Sequence, residues 1–157
     1  MSGYAHDTLP WAGTLDPLLD LVIPGAPTSQ GSMISNAHGG MRYPKKTVGA
    51  RNFMIEFLDA HLDVSGIAVP VAVRAWFRFK RPAAHYLPAN SRRAEPEVRA
   101  DAPTWHAIEP DTDKCCRLIG DALQIAGVLA DDKLIASWHA EKRWAETSST
   151  RIQLFTL

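Results

Sequence analysis

Between Pro110 and Asp132 the sequence reads P-D-T-D-K-C-C-R-L-I-G-D-A-L-Q-I-A-G-V-L-A-D-D, and the spacing of its apolar residues leaves few folds open. Leu118, Ile119, Ala122, Leu123 and Ala126 recur every three or four positions, which predicts a helix from about Asp113 to Ala126 with one buried face. Pro110 turns the chain away from helix before it, Asp111 or Asp113 suits the first turn as a cap, and Gly127 suits the end. Carboxylates therefore bracket the helix: Asp111 and Asp113 at its start, Asp131 and Asp132 beyond its close. Oxygen-only donors of this kind suit a hard cation such as magnesium or manganese. Asp-x-Asp is also a like-charge repulsion that a cation would relieve. Arg117 falls one turn beyond Asp113 on the same face. The same residues equally suit helix caps at the positive end of the dipole and a polar turn at 131–132. A helix of this length is roughly 20 Å long, and the return to Asp132 spans about 20 Å if extended. One chain can just close such a site; a partner chain could instead supply one end.

Upstream, Met1–Pro17 is punctuated by Gly and Pro and is expected to be loose. Leu18–Ile23 reads as a strand stopped by Pro24-Gly25, and the Gly-, Ser- and Asn-rich run to Tyr43 reads as loop or hairpin, with a turn at Gly39-Gly40. A second helix is expected over about Thr47–Leu62, with Phe53, Met54, Phe57, Leu58 and Leu62 as its apolar stripe. Val71–Phe79 is the clearest strand: Val71, Val73, Ala75, Phe77 and Phe79 share one face, and Arg74, Trp76 and Arg78 the other. Residues 80–106 show no usable period and read as a long, mobile, basic loop. At its far end His106 could serve as an acid or a ligand, but is expected as a plain surface histidine. Leu134–Trp144 and Thr150–Leu157 read as strands joined by a turn at 146–149, an expected antiparallel hairpin. The order of elements predicts a single α+β domain, a curved mixed sheet of about four strands with two main helices packed on it.

Net charge is zero, with 17 basic and 17 acidic residues, which argues against a general nucleic-acid binder. The distribution is uneven. Residues 1–40 carry no Lys or Arg, whereas 41–100 hold eleven basic residues against five acidic ones. Lys45, Lys46, Arg74, Arg78, Lys80, Arg81, Arg92 and Arg93 are the candidate DNA contacts, and the interleaved Trp76 suits base or backbone contact. Solvated surface charge explains the same residues as well. Cys115 and Cys116 are adjacent on a helix, poorly placed to bridge, and suit a reducing compartment. No apolar run is long enough for a membrane, and Met1–Trp11 lacks the pattern of a secretory leader.

The pattern D-x-D-K-x-x-R-x-x-x-D-A-L-x-x-A-G-x-x-x-D-D closely resembles the core of RusA-type Holliday junction resolvases, as found in phages and prophages. The resemblance runs from Pro110 to about Trp144. P-G-A-P-T-S-Q-G-S (Pro24–Ser32) is similar to the family's early segment, and P-A-A-H-Y-L-P (Pro82–Pro88) resembles the linker of phage-borne members. The resemblance implies one RusA-like endonuclease domain over residues 1–157 and metal ligation by Asp111, Asp113 and Asp132, with Asp131 beside them. It implies a basic catalytic group at Arg117, where the family usually has lysine. Arginine keeps the charge but not the compact ammonium head. Met33 and Ile34 stand where relatives often carry basic residues. The implied activity is Mg²⁺- or Mn²⁺-dependent hydrolysis of paired strands at a four-way DNA junction, in the cytoplasm of a bacterial host. Two opposed cuts call for two symmetry-related sites, hence a C2 homodimer. The alternatives are a non-catalytic protein that binds branched DNA and a nuclease for flaps and forks.

Overall fold

The computed structural model of the chain describes residues 16–88 and 95–157. In chain order the elements are β1 (Leu19–Pro24), β2 (Ile34–Ser35), β3 (Met41–Arg42), α1 (Lys45–His61), β4 (Val71–Lys80), α2 (Thr112–Ile125), β5 (Ile135–Ala145) and β6 (Ser149–Thr156). Short 3₁₀ turns at Ala83–His85 and Asp132–Leu134 lie between them. β2 and β3 close a small hairpin over Gly39, whose φ of 76° is the left-handed conformation glycine takes without strain.

The principal sheet has the order β1-β6-β4-β5. β5 runs parallel to β4, and β6 runs antiparallel to both β4 and β1. The fold is α+β, with a mixed four-stranded sheet and two helices, as expected. The expected hairpin of the last two strands does not form, because β4 lies between them. The connection from β5 to β6 straddles the end of β4: Arg81 N–H donates to the Ala145 carbonyl and Lys80 N–H to the Ser148 hydroxyl. The reason is burial. Val71, Ala72, Val73, Ala75, Phe77 and Phe79 are all buried, and a strand covered on that scale belongs at the centre of a sheet. Parallel pairing of β4 with β5 then requires a crossover, which α2 provides.

The core lies between the sheet and the helices. Leu118, Ile119, Ala122 and Leu123 of α2 meet Val73, Ala75 and Phe77 of β4, Ile152 and Leu154 of β6, and Met54 and Leu58 of α1. A fourteen-residue helix is marginal alone. Burying each Leu or Ile contributes about 1.5–3 kcal/mol, so the packed face, and not propensity, decides α2. The stripe of α1 is narrower than expected: Met54 and Leu58 are buried, but Phe53 is 49 % exposed. Phe57 and Leu62 are half-buried against the core, while Phe53 stands outside it, with the Phe57 ring stacked on His61 at 4.1 Å.

The opposite sheet face carries the alternate residues. Arg74 and Arg151 flank the Trp76 ring at 4.9 and 5.3 Å, and Arg151 forms a two-pronged ion pair with Asp20 across the sheet. The two limbs of 80–106 outside residues 89–94 are hydrogen-bonded to each other, Leu87 to Glu97 and Arg99 to His85. Residues 104–106 lie along the edge of β5, where Trp144 N–H donates to the Thr104 carbonyl and His106 N–H to the Lys142 carbonyl.

Candidate active site around helix α2

The first turn of α2 is held from two sides. Asp111 occupies the N-cap position with extended dihedrals, yet its side chain makes no capping hydrogen bond. Its carboxylate accepts instead from Lys114 Nζ at 2.6 Å. That contact, more than any other, holds the Asp111 carboxyl below the usual carboxylate range. The backbone just ahead is pinned by Lys142, whose Nζ donates to the Ile108 and Pro110 carbonyls, both at 2.6 Å. Alternation along β5 puts Lys142 on the helix-covered face beside Ala140 and Trp144. A lysine inside the stripe Trp138, Ala140, Trp144 is a sequence anomaly that marks this tether.

Asp113, Cys116, Arg117 and Gly120 are spaced i, i+3, i+4, i+7 and form one stripe of α2. With Asp132, Ile135 and Trp138 they line a concavity of about 400 Å³. The geometric difficulty of bringing Asp132 back is met within a single chain. Gly127, at φ 72°, reverses the direction, and residues 128–130 return beside Ile67, to whose carbonyl Ala130 N–H donates. Asp132 then passes the helix at Gly120, where an added Cβ would lie 3.5 Å from Ile135 Cδ1 and 4.0 Å from Asp132 Cβ. The returning segment thus passes α2 at a distance that leaves room at Gly120 for about a methyl group. That level is seven residues, roughly 10 Å, along the axis from Asp113.

The four bracketing aspartates thus divide. Asp113 and Asp132 share one concavity with Arg117. Asp111 lines a neighbouring one, of about 390 Å³, with Thr28, Gly31, Lys46, Thr47, Glu109 and Lys114. Asp131 is engaged locally: its carboxylate accepts from Lys133 N–H at 3.0 Å and pairs with Lys133 Nζ at 2.7 Å, which depresses its pKa. Among the described residues, no three carboxylate, imidazole or thiol groups stand close enough to hold one ion together. Cys116 is no thiolate at neutral pH, since burial and then Asp113 push its pKa to about 11.

The basic candidates also divide. Lys45 and Lys46 begin α1, and Lys46 opens onto the Asp111 concavity. Arg74 and Arg78 lie on the far sheet face, away from α2. Lys80 is exposed at the end of β4, and Arg81 is tied to the Pro103 carbonyl at 2.8 Å. Arg92 and Arg93 lie outside the described residues. His106, expected at the surface, is only 4 % exposed, stacked on Phe79 at 3.7 Å and tilted against Trp144 at 4.3 Å. Burial, then the charge of Lys142, lowers its pKa, so the enclosed ring favours its neutral form.

Carboxylates and an arginine around one hollow, with further cations nearby, are the equipment of a protein that acts on phosphate esters. The chain belongs to the endodeoxyribonuclease RusA family, whose profile matches residues 24–155 and so takes in both helices and the whole of the concavity. Among individual curated proteins none matches it. No helix among the described residues is long and apolar enough to cross a membrane.

Proposed function

We propose that the chain hydrolyses phosphodiester bonds at four-way DNA junctions, cutting two opposed strands as a homodimer, with Mg²⁺ or Mn²⁺ as cofactor. The observation that carries this is the meeting of Asp113, Asp132 and Arg117 around one concavity in a chain of the RusA endodeoxyribonuclease family. The donor chemistry fits the ion. Magnesium takes oxygen ligands, keeps several waters and is bound through one or two carboxylates together with substrate phosphate. Asp113 and Asp132 would hold it, with Asp111 at the adjoining wall. When bound, the ion polarises a phosphoryl oxygen and acidifies water for in-line attack.

The chain's own residues do the rest. Arg117, without a carboxylate partner among the described residues, is available to neutralise charge that grows on the phosphate. Lys142 fixes the 108–110 backbone and with it the position of Asp111. Lys114 holds the Asp111 carboxylate ionised. The test is incubation with a synthetic four-way junction and Mg²⁺, beside plain duplex, flaps and forks. Paired nicks at the junction that Asp113→Asn abolishes are expected. Equal cutting of duplex, or faster cutting of flaps and forks, would refute junction specificity.

One observation favours a second reading, a protein that binds branched DNA without cutting it. Asp111 and Asp131 are each occupied by a lysine, which leaves Asp113 and Asp132 as the two bracketing carboxylates without an ion-pair partner among the described residues. Junction binding that persists in EDTA, with no nicking under any divalent ion, would select this alternative.

A further inference from the structure

We infer that the concavity between the start of α1 and Asp111 is a seat for a backbone phosphate of DNA, next to the phosphate that is cut. Lys46 and Thr47 of α1, Thr28 and Gly31 of the preceding loop, and Lys114 of α2 build it. The inference rests on the nuclease reading above only for what the neighbouring group does.

Three observations converge there. α1 is seventeen residues long, and Pro44 at its N-cap makes no side-chain hydrogen bond. The Lys45, Lys46 and Thr47 amides therefore lack partners within the helix and present the positive end of its dipole. Thr47 is only 7 % exposed, yet its hydroxyl has no hydrogen-bond partner among the described residues, and it lines the hollow. The residue is enclosed but the hydroxyl itself is not sealed off, so it opens onto the hollow and is free to donate to an oxygen that enters. Lys46 has no carboxylate partner among the described residues, and its ammonium supplies a positive charge at the same edge.

The loop geometry leaves room for the oxygen atoms. An added Cβ on Gly31 would lie 3.4 Å from Thr47 Oγ1, so a side chain there would occupy the space beside the hydroxyl. Gln30 N–H donates to the Lys114 carbonyl at 3.1 Å, which ties this loop to the first turn of α2. Glu109 and Asp111 line the same hollow. Asp111 is matched by Lys114, so the anion is expected against Lys46, Thr47 and the helix amides. The ligand class is thus a phosphodiester read without its base: the contacts position DNA and carry no sequence information.

The experiment is binding of a fluorescent four-way junction in EDTA, where nothing is cut, across a salt series, for wild type, Lys46→Ala and Thr47→Val. Lys46→Ala is expected to weaken binding about tenfold and to reduce the slope of log affinity against log salt by about one. Thr47→Val is expected to weaken it severalfold with the slope unchanged. In wild type, dimethyl phosphate is expected to shift the amide resonances of Lys45–Thr47, a readout independent of any variant's folding. Unaltered affinity and slope in both variants, or wild-type amides indifferent to dimethyl phosphate, overturn the seat. Failure of the nuclease reading shows separately, as absence of nicking by wild type in Mg²⁺.

Discussion

Four aspartates of similar appearance in sequence have three different surroundings. Asp113 and Asp132 share a hollow with an arginine that pairs with no carboxylate among the described residues, Asp111 is held by Lys114, and Asp131 caps the turn of Lys133. Asp113→Asn and Asp132→Asn are therefore expected to lower junction cleavage by about a hundredfold or more while leaving binding in EDTA intact. Asp131→Asn is expected to cost far less, and an equal loss in a single-turnover assay would show that its carboxylate leaves the turn in the working complex. His106 offers a test of stability. Its pKa lies below the ordinary 6.5 because burial, then Lys142, disfavours the cation. The folded chain thus binds the proton less readily than the unfolded one. Its contribution is complete above about pH 6.5 and is lost as pH falls through the lowered folded value. His106→Phe keeps the stacking on Phe79 and removes the titration. Thermal melts between about pH 7.5 and 5 are expected to fall more steeply for wild type than for the variant, and parallel curves would contradict the assignment.

At the scale of elements, the site depends on how closely the 131–135 segment passes α2. Gly120 stands at that crossing, inside a helix, where glycine costs about 0.5–1 kcal/mol relative to alanine. The nearest atoms to an added Cβ, at 3.5, 3.9 and 4.0 Å, are at ordinary contact distance. Gly120→Ala is therefore expected to raise stability by up to about 1 kcal/mol in urea unfolding, with cleavage retained. Gly120→Leu overfills the crossing and is expected to destabilise by about 1–3 kcal/mol. It is also expected to lose cleavage through displacement of Asp132. A full-rate Gly120→Leu would show that Asp132 need not sit where this packing puts it.

For the whole molecule, the sheet separates two kinds of positive charge. Lys46 and Arg117 lie on the helix side with the aspartates, and Arg78 lies on the far face beside Trp76, Glu141 and Arg143. Arg78→Ala is expected to weaken junction binding while leaving the single-turnover rate at saturating protein unchanged. A slowed saturated rate would place this arginine at the reacting phosphate. Paired incision needs two active sites held at a fixed separation. Sedimentation equilibrium is accordingly expected to report two chains, and a monomer that still makes opposed cuts would overturn the dimer.

Helix α2, both families of basic residues and the acidic brackets were legible in the amino-acid order, because helical and strand periods are local properties that each segment carries by itself. The strand at 71–80 was legible for the same reason. Its central place was not, because which strands become neighbours depends on how much apolar surface each can cover in competition with the others. That competition set β4 between β5 and β6 and replaced the expected hairpin. The division of the aspartates was equally hidden: Lys114 and Lys133 claim their partners through short contacts that any flexible lysine can make or decline. His106 looked like a surface residue until Phe79 and Trp144, far from it in the chain, closed over it. Local chemistry thus determined which charged groups this chain carries, and tertiary packing alone decided which of them share one hollow.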